Sequence, residues 1–331
     1  MIAEELWMSR ALQLAALGLG KVQPNPLVGA VIVHNEVIIG EGFHQQYGAP
    51  HAEVNAIHAV KNQDLLKQST LYVNLEPCAH FGKTPPCTSL IIEKQIPKVV
   101  VGMKDPNEKV NGKGIQILRE AGVEVVENVL LDECLKLNKR FITFHTKKRP
   151  CIFLKWAQTQ NGFMDILRTG VARNAPYWIT NDALRVWAHK MRNEEQAILV
   201  GYNTLKNDNP QLTNRLYGTN QPQRFVLCDK AERQKGGRAE AQECERANFI
   251  PLTGSIKDVL DELYQQNIQS VIIEGGKKTL QRFLEADLYD EIFVLVGNVD
   301  WDTGIPAPEI PYPFNNKINI DGETILHYCR V

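Results

Sequence analysis

The stretch Gly48-Ala49-Pro50-His51-Ala52-Glu53 places a histidine two residues before a glutamate, where a helical pattern begins. A second stretch, Asn74-Leu75-Glu76-Pro77-Cys78, ends in a cysteine, and eight residues separate it from Cys87. One imidazole and two thiolates suit a catalytic zinc ion whose fourth position stays open to water. His51, Cys78 and Cys87 are therefore candidate ligands around which the first half of the chain is organised.

The local sequence predicts how these ligands are presented. Apolar residues recur at helical spacing from Ala52 to Val60, so we expect His51 to open a helix. Thr70–Asn74 has the composition of a strand that leads to Pro77-Cys78, where we expect a second helix to start. Two helix N-termini facing one metal would favour the thiolate over the thiol.

Glu53 has a predicted role other than metal ligation. A carboxylate beside such a site can accept a proton from the hydrolytic water and pass it to a leaving amine. His-x-Glu followed by Pro-Cys-x-x-Cys is the arrangement of the zinc deaminases, which these stretches resemble.

The spacing of the two cysteines departs from that arrangement, because Ala79–Pro86 lies between them instead of two residues. A loop of this length, with His80 and Lys83 inside it, could reach over the site and hold an anionic substrate. The alternative is a structural zinc, or two unrelated buried cysteines. It is the weaker interpretation, because structural sites usually have four protein ligands and the sequence places no fourth nearby.

Length and composition predict a globular protein of two domains. The chain has 331 residues, 44% of them hydrophobic and 23% charged, and domains usually span about 100–200 residues. A formal net charge of −1 and a pI near 6.7 give no nucleic-acid footprint. The N-terminus lacks the features of a signal peptide, and no apolar run approaches the roughly 20 residues of a membrane span. Seven scattered cysteines, an odd number, suit a reducing compartment, so we expect a soluble cytoplasmic protein.

The first half alternates helices and strands in the manner of a three-layer α/β domain. The polar segment 145–150 ends in a proline, so we place the domain boundary there and predict domains at 1–146 and 147–331. The predicted elements are helices at 4–18, 52–60, 115–121 and 132–144 and strands at 30–33, 37–39, 70–74, 98–101 and 123–126.

The second half again alternates strands and helices, which predicts a second α/β domain. Thr180 is the expected N-cap of its first helix, Thr324–Cys329 an expected edge strand, and 230–248 an expected mobile loop. The predicted elements are strands at 151–157, 197–201, 225–228, 270–273 and 291–296 and helices at 181–191, 255–266 and after 277.

A cofactor site is predicted where Glu274-Gly275-Gly276 joins a strand to a helix. Backbone N–H groups at a helix start bind anions when no side chain covers them. A Gly-Gly pair serves a left-handed turn equally well, so this signal is weak alone. No Gly-x-Gly-x-x-Gly follows any predicted strand, which argues against the usual doubly wound dinucleotide fold.

Two polar residues of the first half stay undecided on their own. Asn25, in the rigid Gln23–Gly29 loop, can pair with a pyrimidine edge or simply form a turn before Pro26. His44, at a predicted strand end, is either a site residue or a surface residue.

The whole chain resembles the bifunctional riboflavin-biosynthesis deaminase/reductase family. Its most specific segment is the thirteen-residue Leu75–Cys87, supported by Pro24-Asn25-Pro26, Asp105-Pro106-Asn107 and Gly112-Lys113-Gly114. The resemblance implies a cytidine-deaminase-like domain acting on 2,5-diamino-6-ribosylamino-4(3H)-pyrimidinone 5′-phosphate. It implies zinc held by His51, Cys78 and Cys87, with Glu53 as the catalytic proton shuttle. The implied substrate-binding residues are Asn25, His44, His80, Lys83, Asp105 and Asn107.

The second half resembles the family's reductase domain, which is similar in fold to dihydrofolate reductase and uses NADPH. The resemblance rests on Trp178-Ile179-Thr180 and Glu274-Gly275-Gly276, together with the single positions Lys155, Ala157, Arg185, Arg192, Gly201, Thr204, Asp208, Pro210, Leu212 and Arg215. The implied cofactor-binding residues are Ala157, Trp178, Thr204, Asp208, Gly275 and Gly276. The implied substrate-binding residues are Lys155, Arg192, Leu212, Arg215 and Glu274, and two arginines suit a ribose phosphate because each can bind it bidentately.

The reductase half also departs from the family pattern. The family's Ser-Leu-Asp-Gly is Thr159-Gln160-Asn161-Gly162 here, and the serine expected before Trp178 is Pro176. An alternative is therefore an active deaminase with an impaired or structural second half.

Two further alternatives concern the first half. A free-base or tRNA deaminase fusion would predict a short Pro-Cys-x-x-Cys and, for tRNA, a basic face. A zinc-stabilised binding module would leave Glu53 as a surface residue. We expect small phosphorylated pyrimidines as partners, with no nucleic acid and no membrane. The family resemblance implies assembly as a homo-oligomer, either a dimer or a tetramer.

Overall fold

The computed structural model describes residues 3–79, 85–107, 111–167, 177–228, 244 and 246–329. The chain divides into two units, Met1–Lys148 and Arg149–Val331, whereas the sequence places the boundary after residue 146. Both units combine helices with one main sheet, which confirms the predicted α/β class. In the described ranges, no helix has the length and apolar character that a membrane crossing requires.

The first unit contains a five-stranded sheet with strand order β2-β1-β3-β4-β5. Strand β1 is antiparallel to β2 and β3, whereas β4 is parallel to β3 and β5. Its described elements are α1 (Ala3–Ala16), β1 (Gly29–His34), β2 (Val37–Phe43), α2 (Ala52–Ala59), a 3-10 helix (Gln63–Gln68), β3 (Thr70–Leu75), α3 (Cys87–Glu93), β4 (Lys98–Met103), α4 (Lys113–Glu120), β5 (Glu124–Val126), α5 (Leu131–Leu137) and α6 (Lys139–Lys147).

Helices cover both faces of this sheet, because successive side chains of a strand point to opposite faces. Ala30 and Ile32 of β1 belong to the core formed with α2, α3 and α4. Val31 and Val33 of the same strand belong to the core formed with α1 and α5. The first unit is therefore the three-layer arrangement that the sequence predicts.

Two helix predictions in the first unit are wrong. The second site helix begins at Cys87 and not at Pro77-Cys78, because the extended Pro86 is its N-cap and Cys78 lies outside any helix. The helix predicted over 132–144 is two helices that meet at Asn138. The buried Asn138 side chain accepts a hydrogen bond from Leu27 N–H (2.8 Å) and donates one to Leu27 O (3.0 Å), a contact between distant parts of the sequence.

The second unit contains an eight-stranded sheet with strand order β10-β9-β8-β11-β6-β12-β15-β14. The first six of these strands are parallel, and β15 and β14 are antiparallel additions. A two-stranded ribbon pairs β7 with β13. The described elements are β6 (Cys151–Gln158), β7 (Phe163–Asp165), α7 (Asp182–Glu194), β8 (Ala197–Gly201), α8 (Tyr202–Asp208), β9 (Gln223–Cys228), β10 (Ile250–Thr253), α9 (Ile256–Gln265), β11 (Ser270–Ile273), α10 (Lys277–Glu285), β12 (Glu291–Val296), β13 (Ile305–Pro306), β14 (Asn316–Ile320) and β15 (Glu323–Cys329).

Three predictions for the second unit need comment. The N-cap of α7 is Asn181 and not Thr180, because the Asn181 side chain accepts a hydrogen bond from Leu184 N–H (2.9 Å). The strand predicted over Thr324–Cys329 is not an edge strand, because β14 pairs with its outer side. The loop predicted over 230–248 lies largely outside the described residues.

Candidate active sites

The first candidate site lies where α2, α3 and the end of β3 meet. His51 is the extended N-cap of α2, Cys78 follows β3, and Cys87 is the first residue of α3. His51 Nδ1 lies 3.3 Å from Cys87 Sγ and 3.5 Å from Cys78 Sγ. One donor atom from each of these residues falls within 4.8 Å of the other two. Elements from three parts of the first unit thus bring one nitrogen and two sulfur donors together.

The chemistry of this donor set fits zinc. Zinc is bound by imidazole nitrogen and thiolate sulfur, and a catalytic ion has three protein ligands. Among the described residues, no further His, Cys, Asp or Glu belongs to the cluster. Three convergent donors without a fourth match a catalytic site better than a structural one.

The two thiols share one hydrogen-bonding arrangement. A hydrogen bond with Cys87 lowers the pKa of the Cys78 thiol to about 4 against the effect of burial, and His51 lowers it further. The same hydrogen bond, followed by burial, raises the pKa of Cys87. The Cys87 backbone N–H also donates to Cys78 Sγ (3.2 Å). Cys78 is therefore predisposed to be a thiolate, and a metal ion would replace the proton on Cys87 because metal ligands must be deprotonated.

Glu53 lies in the first turn of α2 and is only 4% exposed. Burial raises the pKa of Glu53 to about 7, and the negative charge of Cys78 adds to this effect, whereas His51 opposes it. A cation held by the three donors would favour the ionised carboxylate. The position of Glu53 beside the cluster, without being one of its donors, suits a group that moves a proton.

Asn25 and His44 lie beside the cluster and contact each other. The His44 ring is 5.8 Å from the His51 ring in an edge-on arrangement. His44 Nδ1 lies 3.1 Å from Pro50 O, which can only accept, so Nδ1 carries the proton and donates. His44 Nε2 then accepts from Asn25 Nδ2 (3.0 Å). Burial lowers the pKa of His44, which favours this neutral form. The Asn25 side chain is thereby oriented by a histidine that the protein backbone fixes.

The other predicted substrate residues of the first unit follow β4. Asp105 Oδ1 accepts from Asn107 N–H (2.8 Å), and Asp105 N–H donates to Glu76 Oε2 (3.1 Å). His80 and Lys83 lie outside the described residues. Asp105 and Asn107 thus form a turn attached to the strand end that leads to Cys78.

The structure also reveals two polar residues near this site that the sequence does not single out. Buried Asn74 accepts a hydrogen bond from Gly29 N–H (2.8 Å) and donates one to Leu27 O (2.9 Å). Buried Glu76 accepts backbone N–H groups from the segment 105–115. Both belong to the stretch Asn74–Cys78. A polar residue at the end of an apolar strand is the sequence feature that could have identified them.

The second candidate site is an ion-pair network in the second unit. Lys155 on β6 donates from Nζ to Glu274 Oε1 (2.5 Å). Arg192 on α7 donates from Nη2 to both Glu274 oxygens (2.9 and 3.0 Å). Lys155 and Arg192 are buried, and the Glu274 side chain is 16% exposed. Burial would raise the pKa of Glu274, but Arg192 and Lys155 reverse this and lower the pKa to about 2. Glu274 is therefore ionised and acts only as an acceptor.

The predicted substrate residues Leu212 and Arg215 lie on the loop after α8. Leu212 is buried with a left-handed backbone (φ 48°), and the exposed Arg215 donates its backbone N–H to His189 Nδ1 (3.0 Å). Burial, followed by the charges of Arg192 and Arg215, lowers the pKa of His189 to about 4. The neutral His189, which the sequence analysis missed, attaches this loop to α7.

A cavity of about 240 Å³ lies at the start of α8 and α10. Of the predicted cofactor residues, Thr204, Asp208 and Gly276 line this cavity. Gly276 N–H donates to Thr204 Oγ1 (3.2 Å). A Cβ on Gly275 would lie 3.4 Å from Gly201 N and 3.0 Å from Thr279 Cβ, so glycine allows close approach of β8, α10 and their turns.

The other three predicted cofactor residues, Gly275, Ala157 and Trp178, do not line this cavity. Ala157 packs against the cluster of Leu184 and Leu295. Trp178 is 57% exposed, and the Arg185 guanidinium lies 4.0 Å above its ring. The structure thus separates Ala157 and Trp178 from Thr204, Asp208 and Gly276.

The departure at Asn161 has a structural explanation. Asn161 Nδ2 donates to Trp301 O (2.8 Å), and Asn161 Oδ1 accepts from Thr159 Oγ1 (2.7 Å) and Trp301 N–H (3.3 Å). An aspartate could not make the first of these bonds. The other departure, Pro176, lies outside the described residues.

Known families match each half of the chain. Residues 1–103 match the cytidine and deoxycytidylate deaminase zinc-binding region, and residues 150–299 match the RibD C-terminal domain. The riboflavin biosynthesis protein RibD of Aquifex aeolicus is 40% identical over 311 residues, which cover 88% of this chain and 85% of that protein. The RibD of Escherichia coli is 34% identical over 327 residues, covering 88% and 87%.

Solved structures match the fold over nearly the whole chain. The diaminohydroxyphosphoribosylaminopyrimidine deaminase/5-amino-6-(5-phosphoribosylamino)uracil reductase of Thermotoga maritima is 38% identical, with a TM-score of 0.86 over 98% of both chains. Acinetobacter baumannii RibD is 31% identical with a TM-score of 0.86, covering 99% of this chain and 98% of that one. With relatives above 30% identity that span both units, this chain belongs to the RibD family of riboflavin biosynthesis proteins.

Proposed function

We propose that the chain catalyses two reactions of riboflavin biosynthesis, one in each unit. The first unit deaminates 2,5-diamino-6-ribosylamino-4(3H)-pyrimidinone 5′-phosphate to 5-amino-6-ribosylaminouracil 5′-phosphate. The second unit reduces the ribosyl side chain of that product to a ribityl chain with NADPH. The observation that carries this proposal is the His51–Cys78–Cys87 cluster beside buried Glu53, in a chain similar to RibD proteins across both units.

In the deaminase unit, His51, Cys78 and Cys87 would hold the zinc ion. Zinc in such a site supplies a hydroxide nucleophile at neutral pH. Glu53 takes the proton released from water, delivers it to the ring nitrogen, and transfers a proton to the departing ammonia. Glu53 lies in the first turn of α2, two residues after His51, so the carboxylate and this ligand share one helix start.

The walls of the same site would recognise the pyrimidine and its ribose phosphate. Asn25, whose amide is oriented by His44, is suited to pair with the edge of the pyrimidine ring. Asp105 and Asn107 form a turn that is bonded to Glu76, two residues before Cys78. We assign the phosphate to His80 and Lys83 on the long loop between the cysteines, because both can carry the positive charge that a phosphate requires.

In the reductase unit, we place NADPH in the cavity lined by Thr204, Asp208 and Gly276. NADPH supplies the hydride for the open imine or aldehyde form of the sugar. Gly276, Lys277 and Lys278 at the start of α10 line this cavity, and the N-cap Gly276 provides no side-chain cap, which suits a phosphate at this helix start. Gly275, Ala157 and Trp178 complete the proposed cofactor set from outside the cavity.

The ion-pair network would serve the substrate end of the reductase. Within this network, Lys155 carries protons on Nζ, whereas Glu274 is an ionised acceptor. We therefore assign proton donation to Lys155 and its orientation to Glu274. Arg192, Leu212 and Arg215 would bind the ribose phosphate, with the two guanidinium groups as its charged partners.

A coupled assay tests this function. The purified protein is given the diaminopyrimidine phosphate, zinc and NADPH, and ammonia release and NADPH oxidation are followed together. We expect one ammonia for each NADPH, and NADPH oxidation that depends on prior deamination. Ammonia release without any NADPH oxidation, even when the deaminated intermediate is supplied directly, would reduce the second unit to a structural role.

We further infer that the enzyme is a cytoplasmic homo-oligomer. The odd number of scattered cysteines and the thiolate site support a reducing compartment. Light scattering of the purified protein tests the assembly, and cell fractionation tests the location. A monomer at working concentration would contradict the inferred homo-oligomer.

A further inference from the structure

Three alternate residues at the end of β3 serve three different parts of the first site. Cys78 is a proposed metal ligand, Asn74 holds the segment Leu27–Gly29 that follows Asn25, and Glu76 stands between them. Alternate positions along an extended segment lie on the same side of the chain. The end of this strand therefore holds several parts of the site in place. Among Asn74, Glu76 and Cys78, Glu76 is the one acidic residue.

Glu76 is saturated with backbone hydrogen bonds. Its Oε2 atom accepts from Asp105 N–H (3.1 Å) and Gly112 N–H (2.9 Å). Its Oε1 atom accepts from Gly114 N–H (2.8 Å) and Ile115 N–H (3.3 Å). The residue is 3% exposed. Each oxygen faces two donors, so only a carboxylate satisfies all four.

These donors include the unpaired N–H groups at the start of α4. The first N–H groups of a helix have no partner within it, and they favour a negative charge. Gly112, the N-cap, provides no side-chain cap, and the first turn of α4 contains no acidic residue. Glu76, the residue after β3, therefore supplies the cap that the local sequence of α4 lacks.

The same contacts connect the proposed metal ligand to the proposed substrate turn. A Cβ on Gly114 would lie 2.1 Å from Pro77 O, so the start of α4 packs directly against the residue before Cys78. On its other side, Glu76 holds the backbone of Asp105, whose side chain in turn holds Asn107. Any shift of the Glu76 carboxylate would move Asp105 and Asn107 relative to Cys78.

We propose that Glu76 is a positioning residue for deamination, which holds the Asp105–Asn107 turn at a fixed place beside the metal cluster. This inference rests on the proposed deaminase activity of the first unit. Glu76 acts through the backbone and does not touch the reacting atoms. Its loss should therefore weaken substrate binding more than it slows the chemical step.

The test compares Glu76→Gln with wild type in the ammonia-release assay. Whichever way the glutamine amide turns, its NH₂ group faces two N–H donors, so the turn must shift. We expect KM for the diaminopyrimidine phosphate to rise about tenfold or more, because hydrogen bonds to a charged group are stronger than neutral ones. We expect kcat to stay within about threefold and the zinc content to equal that of wild type.

Two further variants keep the proposal open to refutation. Glu41→Gln is the matched control, because it removes a first-unit carboxylate that pairs with Arg10 on the surface (2.6 Å), and its KM should be unchanged. Gly112→Ala disturbs one of the backbone donors to the Glu76 carboxylate and leaves Glu76 intact, since Gly112 has φ +85° and open space around a Cβ. We expect a KM rise of about two- to fivefold from this backbone strain.

The outcomes distinguish failure of the proposed deaminase function from failure of the positioning role of Glu76. No ammonia release from wild type would refute the deaminase function itself. Active wild type with an unchanged KM in Glu76→Gln would refute the positioning role, as would an equal loss of kcat and zinc. If the first unit of Glu76→Gln does not fold, as judged by the circular dichroism of the purified protein compared with wild type, then an unchanged KM in Gly112→Ala refutes the role.

Discussion

Glu53 in the first unit and Glu274 in the second are both shielded glutamates, yet their carboxyl pKa values are displaced in opposite directions. Burial raises the pKa of Glu53 to about 7, and the Cys78 charge adds to the effect. Burial would also raise the pKa of Glu274, but Arg192 and Lys155 lower it to about 2. Burial sets the cost of a charge, and the neighbouring charges decide whether that cost is met.

The difference between the two sites lies in the origin of the positive charge. The second unit supplies it from its own side chains, which donate directly to Glu274. The neighbours of Glu53 are an imidazole and two thiols, a donor set that binds a cation. The first site is thus built to work with a bound metal, and the second ion-pair network is complete without one.

The largest effect is expected from removing a ligand of the first site. Cys87→Ser should abolish zinc binding and measurable deamination, because a hydroxyl does not replace a thiolate as a zinc ligand. NADPH-dependent reduction of the deaminated intermediate should persist. Metal analysis of the purified variant and both half-reactions measure this outcome.

The matched control for that variant is Cys134→Ser. Cys134 is also buried in the first unit, but it lies outside the cluster, with its thiol directed at Val129 O (3.9 Å). This change should leave zinc content intact. If both variants lost zinc equally, general destabilisation and not ligation would explain the result.

A smaller but still large effect is expected at the proton carrier. Glu53→Gln keeps the shape of the side chain and cannot accept a proton, so kcat for deamination should fall about 10²- to 10⁴-fold. Zinc content and reduction of the intermediate should be unchanged. Ammonia release under single-turnover conditions provides the measurement. Equal loss of both half-reactions would argue against two independent sites.

The sequence predicts an element well where the residues of that one strand or helix determine its bounds. The apolar runs 197–201, 270–273 and 291–296 are strands with the predicted bounds, because a fully buried strand of a parallel sheet reads as a continuous hydrophobic run. Side-chain caps and edges were harder to predict. The break at Asn138 depends on its bonds to Leu27, 111 residues away in the sequence, which no local pattern contains.

The site residues divide in the same way, into those that a local motif predicts and those that depend on distant contacts. His51, Cys78 and Cys87 stand in short, specific motifs, and the structure brings them within 4.8 Å. The contact of Lys155 with Glu274 spans 119 residues and that of Arg192 spans 82, so their arrangement follows from strand order and not from any motif. Neutral His189 and Glu76 were missed because each acts on a distant backbone N–H group.

The ion-pair network predicts a stability effect confined to the second unit. Glu274→Gln leaves Lys155 and Arg192 buried without a full countercharge, which should lower the free energy of unfolding by about 3 kcal/mol. Four of the five tryptophans lie in this unit, so urea unfolding followed by tryptophan fluorescence reports on it. Asp290→Asn, which breaks a comparably shielded pair with Arg149, should destabilise the unit without abolishing reduction.

The pH dependence of the same variant sharpens this prediction. The pKa of Glu274 is about 2 in the folded state against an ordinary 4.5, so its stabilisation is complete above pH 4.5 and is lost as pH falls toward 2. The pKa of His189 is about 4 against 6.5, so the unfolded state binds a proton first, and stability is lost as pH falls from 6.5 to 4. Glu274→Gln should flatten the lower window. Because the Glu274 charge raises the pKa of His189, the variant should also extend the upper window to lower pH. A variant that keeps wild-type pH dependence below pH 4.5 would contradict the assigned charge of Glu274.

The smallest effect is expected at the departure from the family pattern. Asn161→Asp restores the acidic residue but removes the hydrogen bond from Nδ2 to Trp301 O and places a carboxylate oxygen against that carbonyl. Asn161 is exposed, so the cost should be about 1 kcal/mol. Asn161 precedes β7 and Trp301 precedes β13, the two strands of the ribbon. The ribbon residues Asp165 and Ile305 line the cavity. We therefore expect KM for NADPH to rise about two- to fivefold, a factor that corresponds to up to about 1 kcal/mol.

Asn319→Asp is the matched control for this change, since Asn319 Oδ1 accepts from Thr324 Oγ1 (3.1 Å), a role that a carboxylate retains. The steady-state rate of NADPH oxidation with the deaminated intermediate measures both variants. Faster reduction in Asn161→Asp would mean that the amide impairs the second unit. Slower reduction would mean that this chain has adapted its cavity wall around the amide, so that the second site, unlike the first, depends on contacts that no short motif records.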